Sequence, residues 1–240
     1  MAHIPDTLSL VADVGGTNTR VALAEGGTLL MDTVRKFRNA DHPSLEDVLS
    51  IFVKDQGVDC KGAAVAVAGP VRDGRGTLTN LNWSIDREML ARVTQAEHLA
   101  VLNDLQAQAH ALGHIAPENL RLVVDAPPAP AAATQLVIGI GTGFNAAVAL
   151  ETESGRIVPP SECGHASMPI KTRDGLSLGG FVEEKHGFPS VEDVLSGRGL
   201  EHIYSWKTGQ SRTAAEIVAT SDTDAASMGA ISTFVQLMGT

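Results

Sequence analysis

The sequence predicts an α/β protein of two units, each opening on a meander of antiparallel strands. Three observations predict it: three short β-prone runs joined by glycine-bearing turns at the start, alternating strands and amphipathic helices behind them, and a fainter second meander past residue 120.

The opening runs are residues 8–13, 19–24 and 28–35, joined by very short glycine-bearing turns as in consecutive antiparallel strands. From Ser44 the period changes. Leu45, Val48, Leu49, Phe52 and Val53 recur at helical spacing, with Ser44 and Asp47 as cap candidates and Gly57 just beyond. An apolar run at 63–68, a helical stretch at 86–94, a run at 99–102 and an alanine-rich helix at 105–112 complete the order βββαβαβα. That order fits the ribonuclease-H-like domain, the unit that actin-like ATPases use twice. The fold expected is therefore two α/β domains around a cleft, a small one over 1–113 and a larger one over 114–240.

The second meander is read as strands at 120–125, 136–140 and 146–150 with a short addition at 157–158, residues 127–133 forming the loop between its early strands. After Pro160 the pattern holds only helices, at 176–185, 190–195, 199–206, 214–219 and 225–238. The second domain is thus expected to be truncated, short of its two parallel strands. A sheet cut there would have an unpaired edge, with Ile231, Phe234, Val235 and Met238 uncovered, and would fold poorly alone.

Hydrophobic residues at 43% and charged ones at 19% fit a packed globular core rather than a disordered chain. No basic start followed by an apolar core opens the sequence, and no apolar run reaches the roughly 20 residues of a bilayer span, so a cytoplasmic protein off the membrane is expected. Cys60 and Cys163 supply neither a disulfide framework nor a four-cysteine zinc site. A net charge of -10 without a basic cluster argues against a nucleic-acid partner and favours a small-molecule substrate.

Asp13-Val14-Gly15-Gly16-Thr17-Asn18-Thr19-Arg20 lies where the first strand turns back into the second. Two glycines let the backbone approach an anion, Thr17 and Asn18 add side-chain donors, and Asp13 can hold Mg²⁺ through water. A plain β-turn would look the same, and no Gly-Lys-Ser/Thr follows to make a Walker A loop. Gly139-Ile140-Gly141-Thr142-Gly143 stands at the matching place in the second unit. Phe144 occupies the position where a dinucleotide fingerprint needs its third glycine, so Rossmann binding is rejected. A bulge or turn is the alternative; paired with the first cluster, Gly141, Thr142 and Gly143 suggest a second phosphate-gripping hairpin.

Asn103-Asp104 sits between a strand and a helix N-terminus, where ligands gather in α/β folds. Phosphoryl transfer to an alcohol needs a carboxylate to accept the hydroxyl proton; Asp104 is the candidate base with Asn103 beside it, against the simpler reading of a helix cap. Glu162-Cys163-Gly164-His165 combines an acceptor-only carboxylate with an imidazole, suited to adjacent hydroxyls of a ligand. Both reach one ligand only if the chain bends between them, and Gly164 permits that. One Cys and one His do not make a zinc site there.

Taken in order, these motifs resemble those of the bacterial glucokinase family. Asp-x-Gly-Gly-Thr-Asn-x-Arg at 13–20 and the cluster at 139–143 look like its two phosphate motifs, Asn103-Asp104 like its sugar and base pair, and Glu162 to His165 like its Glu-x-Gly-His, with Ser161 where a glycine is usual. Ser190 to Gly197 is similar to the family's segment ending Leu-Ser-Gly, which makes Glu192 another sugar carboxylate; a helix-start charge is the alternative. Thr79-Asn80-Leu81-Asn82-Trp83 also echoes the family, though a polar turn would look the same. Related repressors and kinases follow Gly-His with a cysteine-rich zinc run, whereas this chain continues Ala166-Ser167-Met168-Pro169.

The resemblance, from about Leu8 to Met238, implies ATP-dependent phosphorylation of glucose to glucose 6-phosphate, with ATP and Mg²⁺ as cofactors and a possible homodimer. The rival expectation is a catalytically silent sugar-binding fragment or sensor of the same fold. A sugar-responsive repressor would need a helix-turn-helix module for which the residues before the first strand leave no room.

Overall fold

The computed structural model describes residues 8–78, 81–130 and 132–239. By internal contacts the chain forms two compact units, Met1–Gln135 with Ala149–Pro160, and Leu136–Val148 with Ser161–Thr240. A domain boundary near Gly113 stays a proposal, resting on the order of strands and helices.

The first unit is built on strands β1 (Leu8–Val14), β2 (Asn18–Glu25) and β3 (Thr28–Arg38), then helix α1 (Leu45–Gln56) and strand β4 (Gly62–Val67). Strands β5 (Val71–Arg72), β6 (Arg75–Leu78) and β7 (Leu81–Asp86) follow, then α2 (Arg87–Thr94), β8 (His98–Asn103) and α3 (Asp104–Ala111). The main sheet runs β3-β2-β1-β4-β8, its first two pairings antiparallel and its β1–β4 and β4–β8 pairings parallel. Alternation sets the core face: Leu10, Ala12 and Val14 of β1 and Ala63, Val65 and Val67 of β4 are buried. Against that face α1 lays Leu45, Val48, Leu49 and Phe52, the stripe its spacing predicts. The Ser44 hydroxyl caps it by accepting from Asp47 N, and Gly57, at φ 61°, ends it in the left-handed region.

Three expectations are corrected. Residues 71–86, passed over between the fourth strand and the second helix, fold as the β5-β6-β7 ribbon. Its first turn, Asp73-Gly74 at φ 51° and 73°, is the two-residue turn whose twist matches a hairpin, and the ribbon buries Leu78, Trp83 and Ile85. Trp83 is therefore core, not a polar turn; Thr79 and Asn80 lie outside the described residues. Residues 120–125 form no strand: Val123 and Val124 are exposed, since β-branched residues without a ladder partner or a face to bury gain nothing from extension. Residues 190–195 form one tight turn, not a helix, because the Ser190 hydroxyl caps it locally through Asp193 N and Ser196 already begins the next helix.

The remaining elements are β9 (Gln135–Ile140), β10 (Phe144–Thr152), β11 (Gly155–Ile157), α4 (Arg173–His186), α5 (Gly197–Thr208), α6 (Ala214–Ala219) and α7 (Ala225–Met238). Strands β9 to β11 pair in the order β11-β10-β9. The second core gathers Leu178 and Val182 of α4, Leu200, Ile203 and Tyr204 of α5, Ile217 of α6 and Ala230 of α7. Ile231 and Phe234 pack against it, while Val235 and Met238 are exposed. Among the described residues no helix is long and apolar enough to cross a membrane.

Candidate functional site

In the first unit the candidate residues collect at the carboxyl ends of the parallel strands, the side where α/β sheets present ligand groups. Asp13 is the penultimate residue of β1; Asn103 ends β8 and Asp104 opens α3. Gly15, Gly16 and Thr17 form the β1–β2 turn, closed by the Gly15 N–H donating to Asn18 O at 3.0 Å. Neither glycine has a positive φ; Gly15 serves by its small size, since a Cβ there would lie 3.3 Å from Asn18 O. The Asp13 carboxylate takes an ion pair from its cross-strand partner Arg20 at 3.1 Å, both side chains more than half exposed. Arg20 therefore orients Asp13 rather than adding much stability.

Sequence reasoning missed Asn39. Buried to 1% exposure, it accepts from the Thr19 hydroxyl at 2.8 Å and donates to Gly15 O at 2.7 Å, while its N–H donates to Thr17 O at 2.9 Å. One side chain from beyond β3 thus pins both sides of the glycine turn. Asn39→Ala is expected to leave a buried hydroxyl and carbonyl short of partners, costing about 1 to 3 kcal/mol. Thermal unfolding should show a Tm lower by roughly 2 to 12 °C; an unchanged Tm would mean the turn holds itself.

Asp104 is half-buried. Burial pushes its carboxyl above the ordinary range, the nearby charge of Asp13 adds to the rise, and the Leu105 N–H opposes it. Asn103 caps α3: its Oδ1 accepts from Leu105 N at 2.9 Å, Gln106 Oε1 accepts from its N–H at 3.2 Å, and its Nδ2 donates to Gly69 O at 3.1 Å. Both the cap reading and a ligand reading therefore stand for Asn103, whose side chain also hydrogen-bonds the Asp104 carboxylate and opposes the rise of its pKa.

In the second unit three segments meet. Gly141, Thr142 and Gly143 form the turn between β9 and β10, with Gly141 N donating to Gly143 O at 2.9 Å and Gly141 O accepting from Gly197 N at 2.8 Å. Glu162 precedes a single tight turn over Cys163–His165, which brings His165 Nδ1 within 3.9 Å of the Glu162 carboxylate. The chain does bend between them. Gly164 is buried at that bend, and a Cβ there would collide with the carbonyl oxygen of Phe144. Glu192 accepts from Phe144 N at 3.0 Å through one oxygen and from Arg198 at 3.1 Å through the other, and its own N–H donates to Gly164 O at 2.9 Å. It ties the glycine turn to the Glu162 turn.

Asn145 was also missed. Its Nδ2 donates to Ser161 O at 2.6 Å and its Oδ1 accepts from Cys163 N at 3.2 Å, fixing the strand before the bend. Beside Gly141 opens a largely apolar cavity of about 690 Å³, lined by Leu200, Ala214, Val218, Ile231 and Phe234 among others, within the size range of small-molecule pockets.

A meander-led sheet with carboxylates at the ends of its parallel strands, joined to a second unit of strands and helices, is the actin-like fold of the sugar kinases. The chain belongs to the glucokinase family, whose sequence pattern it matches over residues 10–240. It is 32% identical over 197 residues to a glucokinase of Chromohalobacter salexigens, a match covering 82% of this chain and 61% of that protein. The chain thus spans about three fifths of that relative. Among solved structures it resembles a glucokinase from an Antarctic psychrotroph, at 28% identity and TM-score 0.85, covering 97% of this chain and 76% of the other. It shares its fold with the glucokinase of Balamuthia mandrillaris in complex with glucose, at 21% identity and TM-score 0.64, covering 97% and 74%.

Proposed function

We propose that the chain carries the chemistry of ATP-dependent glucose phosphorylation, yielding glucose 6-phosphate in the cytoplasm. The observation that supports this best is Asp104, a half-buried carboxylate with a raised pKa at the end of a parallel strand, near Asp13 and the Gly15 to Asn18 turn. As the 6-hydroxyl oxygen bonds to the γ-phosphorus, the bond to ADP breaks and the hydroxyl proton passes to Asp104. A raised pKa makes the Asp104 carboxylate a stronger base toward an alcohol proton.

Asn103, Glu162, His165 and Glu192 are proposed to read the sugar hydroxyls. Gly15, Gly16, Thr17, Asn18, Gly141, Thr142 and Gly143 are proposed to hold phosphate oxygens through backbone N–H groups and hydroxyls. The apolar cavity beside Gly141 fits the flat base of the donor. Asp13, an exposed hard-oxygen donor with Arg20 on only one of its oxygens, fits water-mediated Mg²⁺; when bound, that ion offsets phosphate charge.

The test is coupled turnover with glucose and ATP beside glucose calorimetry on the 240-residue chain. Turnover supports the kinase reading; binding without turnover favours a silent sugar-binding protein of the same fold. Because aromatic residues are only 4% of the chain and the proposed ligands are polar, specificity should come from hydrogen bonds rather than stacking. Each hydroxyl removed from glucose is expected to cost about 1 to 3 kcal/mol in calorimetry. Equal affinity for glucose and its deoxy analogues would refute this set of ligands.

A further inference from the structure

The second unit also brings together His186, the last residue of α4, Asp193 in the tight turn before α5, and His202 on α5, with ligand atoms all within 4.8 Å of one another. Neither histidine belongs to the motifs described above. The two Nε2 atoms lie 3.1 Å apart. His202 Nδ1 is 2.9 Å from the backbone carbonyl of Asp193, and a carbonyl only accepts, so Nδ1 carries the proton. Nε2 of a neutral His202 is then a lone pair aimed at His186. Burial, with His186 and Lys185 nearby, lowers the His202 pKa.

A ring fixed by Nδ1–H to a carbonyl with Nε2 free is how proteins orient a metal-binding histidine. A simple His186 N–H to His202 hydrogen bond would also give this contact; the carboxylate in the same cluster distinguishes the two. Asp193 is buried, yet the Ser190 hydroxyl at 2.6 Å and Arg198 at 3.1 Å each occupy only one site on its oxygens. Burial works against its charge, but Ser190, His186 and Arg198 outweigh it and hold the carboxyl below the usual range. Two imidazole nitrogens on one tetrahedral zinc, each about 2.0 to 2.1 Å from it, sit about 3.3 Å apart. The exposed His186 ring, at a helix end, meets that spacing with a small rotation.

We propose that His186, Asp193 and His202 form a binding site for a divalent first-row transition ion, Zn²⁺ foremost, with water completing the coordination. Two imidazoles and one carboxylate select such ions over Mg²⁺ and Ca²⁺, which prefer oxygen ligands throughout. Arg198 Nη2 bridges Glu192 and Asp193 at 3.1 Å to each, so the cluster adjoins the Glu192 carboxylate. The proposal does not depend on the kinase reading.

The test titrates the metal-stripped 240-residue chain with Zn²⁺ by calorimetry and with Co²⁺ by visible absorption. One ion per chain is expected, with Co²⁺ bands of nitrogen and oxygen coordination. His186→Ala, at an exposed position, should keep the metal-free fold by circular dichroism, weaken Zn²⁺ binding at least about tenfold and abolish the Co²⁺ bands. His202→Gln is the second variant and should do the same. No uptake at micromolar Zn²⁺, or uptake that survives both substitutions, would overturn the proposal.

Discussion

Asp104→Ala is expected to lower kcat at least about a hundredfold while glucose affinity changes little, because the proposed proton acceptor is lost and the other proposed sugar ligands remain. Its signature is a kcat effect without a matching KM effect. Asp104 also accepts from Leu105 N at 2.8 Å, but Asn103 Oδ1 accepts from the same N–H at 2.9 Å, so the cap of α3 survives. Near-normal turnover in the variant would make Asp104 a cap and not a base. The pH profile supplies a second reading. A base works ionised, so activity should fall as pH drops through the Asp104 pKa, which burial places above the ordinary 3.8. Because the charge of Asp13 contributes to that rise, Asp13→Asn should move the acid limb to lower pH, whatever it does to the rate. The stability linkage has its own sign. A carboxyl whose folded pKa is raised stabilises the fold fully below its unfolded pKa, and that stabilisation is lost as pH climbs through the folded value. Asp104→Ala should therefore lose a contribution that raises Tm as pH falls, leaving a steeper acid-side fall of Tm than in the unsubstituted chain.

Where one segment's pattern was enough, the fold was legible from the residues. The α1 stripe, its Ser44 cap and its Gly57 terminus needed no partner to be read. The glycine turns, Asn103-Asp104 and the bend at Gly164 stood out for the same reason. What escaped depended on distant partners. Asn39 is an ordinary polar residue until β3 carries it under the Gly15 turn, 24 residues away, and Asn145 matters because the 161–163 segment returns to it. Residues 120–125 failed the other way: their β propensity is real, but they pair with no strand among the described residues. The Asp73-Gly74 hairpin was readable from its turn dipeptide. The division of the Glu192 carboxylate between Phe144 N and Arg198 is visible only once the turn over 190–196 is folded.

That junction gives the second large effect. Gly164→Ala should disable the Glu162 to His165 turn more completely than removal of either side chain. A Cβ at 164 would collide with Phe144 O, a backbone atom whose own N–H is held by Glu192, and would also lie 3.5 Å from Glu192 Cβ. No flexible side chain is there to yield. Either β10 retreats from the turn or the turn swings away, and each movement strains the bond from Glu192 N to Gly164 O. Overpacking of this kind costs about 1 to 3 kcal/mol, a Tm lower by roughly 2 to 12 °C. Glucose binding should suffer beyond the stability loss, because Glu162, His165 and Glu192 would all shift together. By contrast His165→Ala, at an exposed position, should leave Tm nearly unchanged and weaken glucose binding only by the one lost hydrogen bond, about 1 to 3 kcal/mol. Thermal unfolding and calorimetry on the two variants separate the cases. A Gly164→Ala chain with unchanged Tm and glucose affinity no worse than that of His165→Ala would mean the close approach of Gly164 to Phe144 does not govern the site.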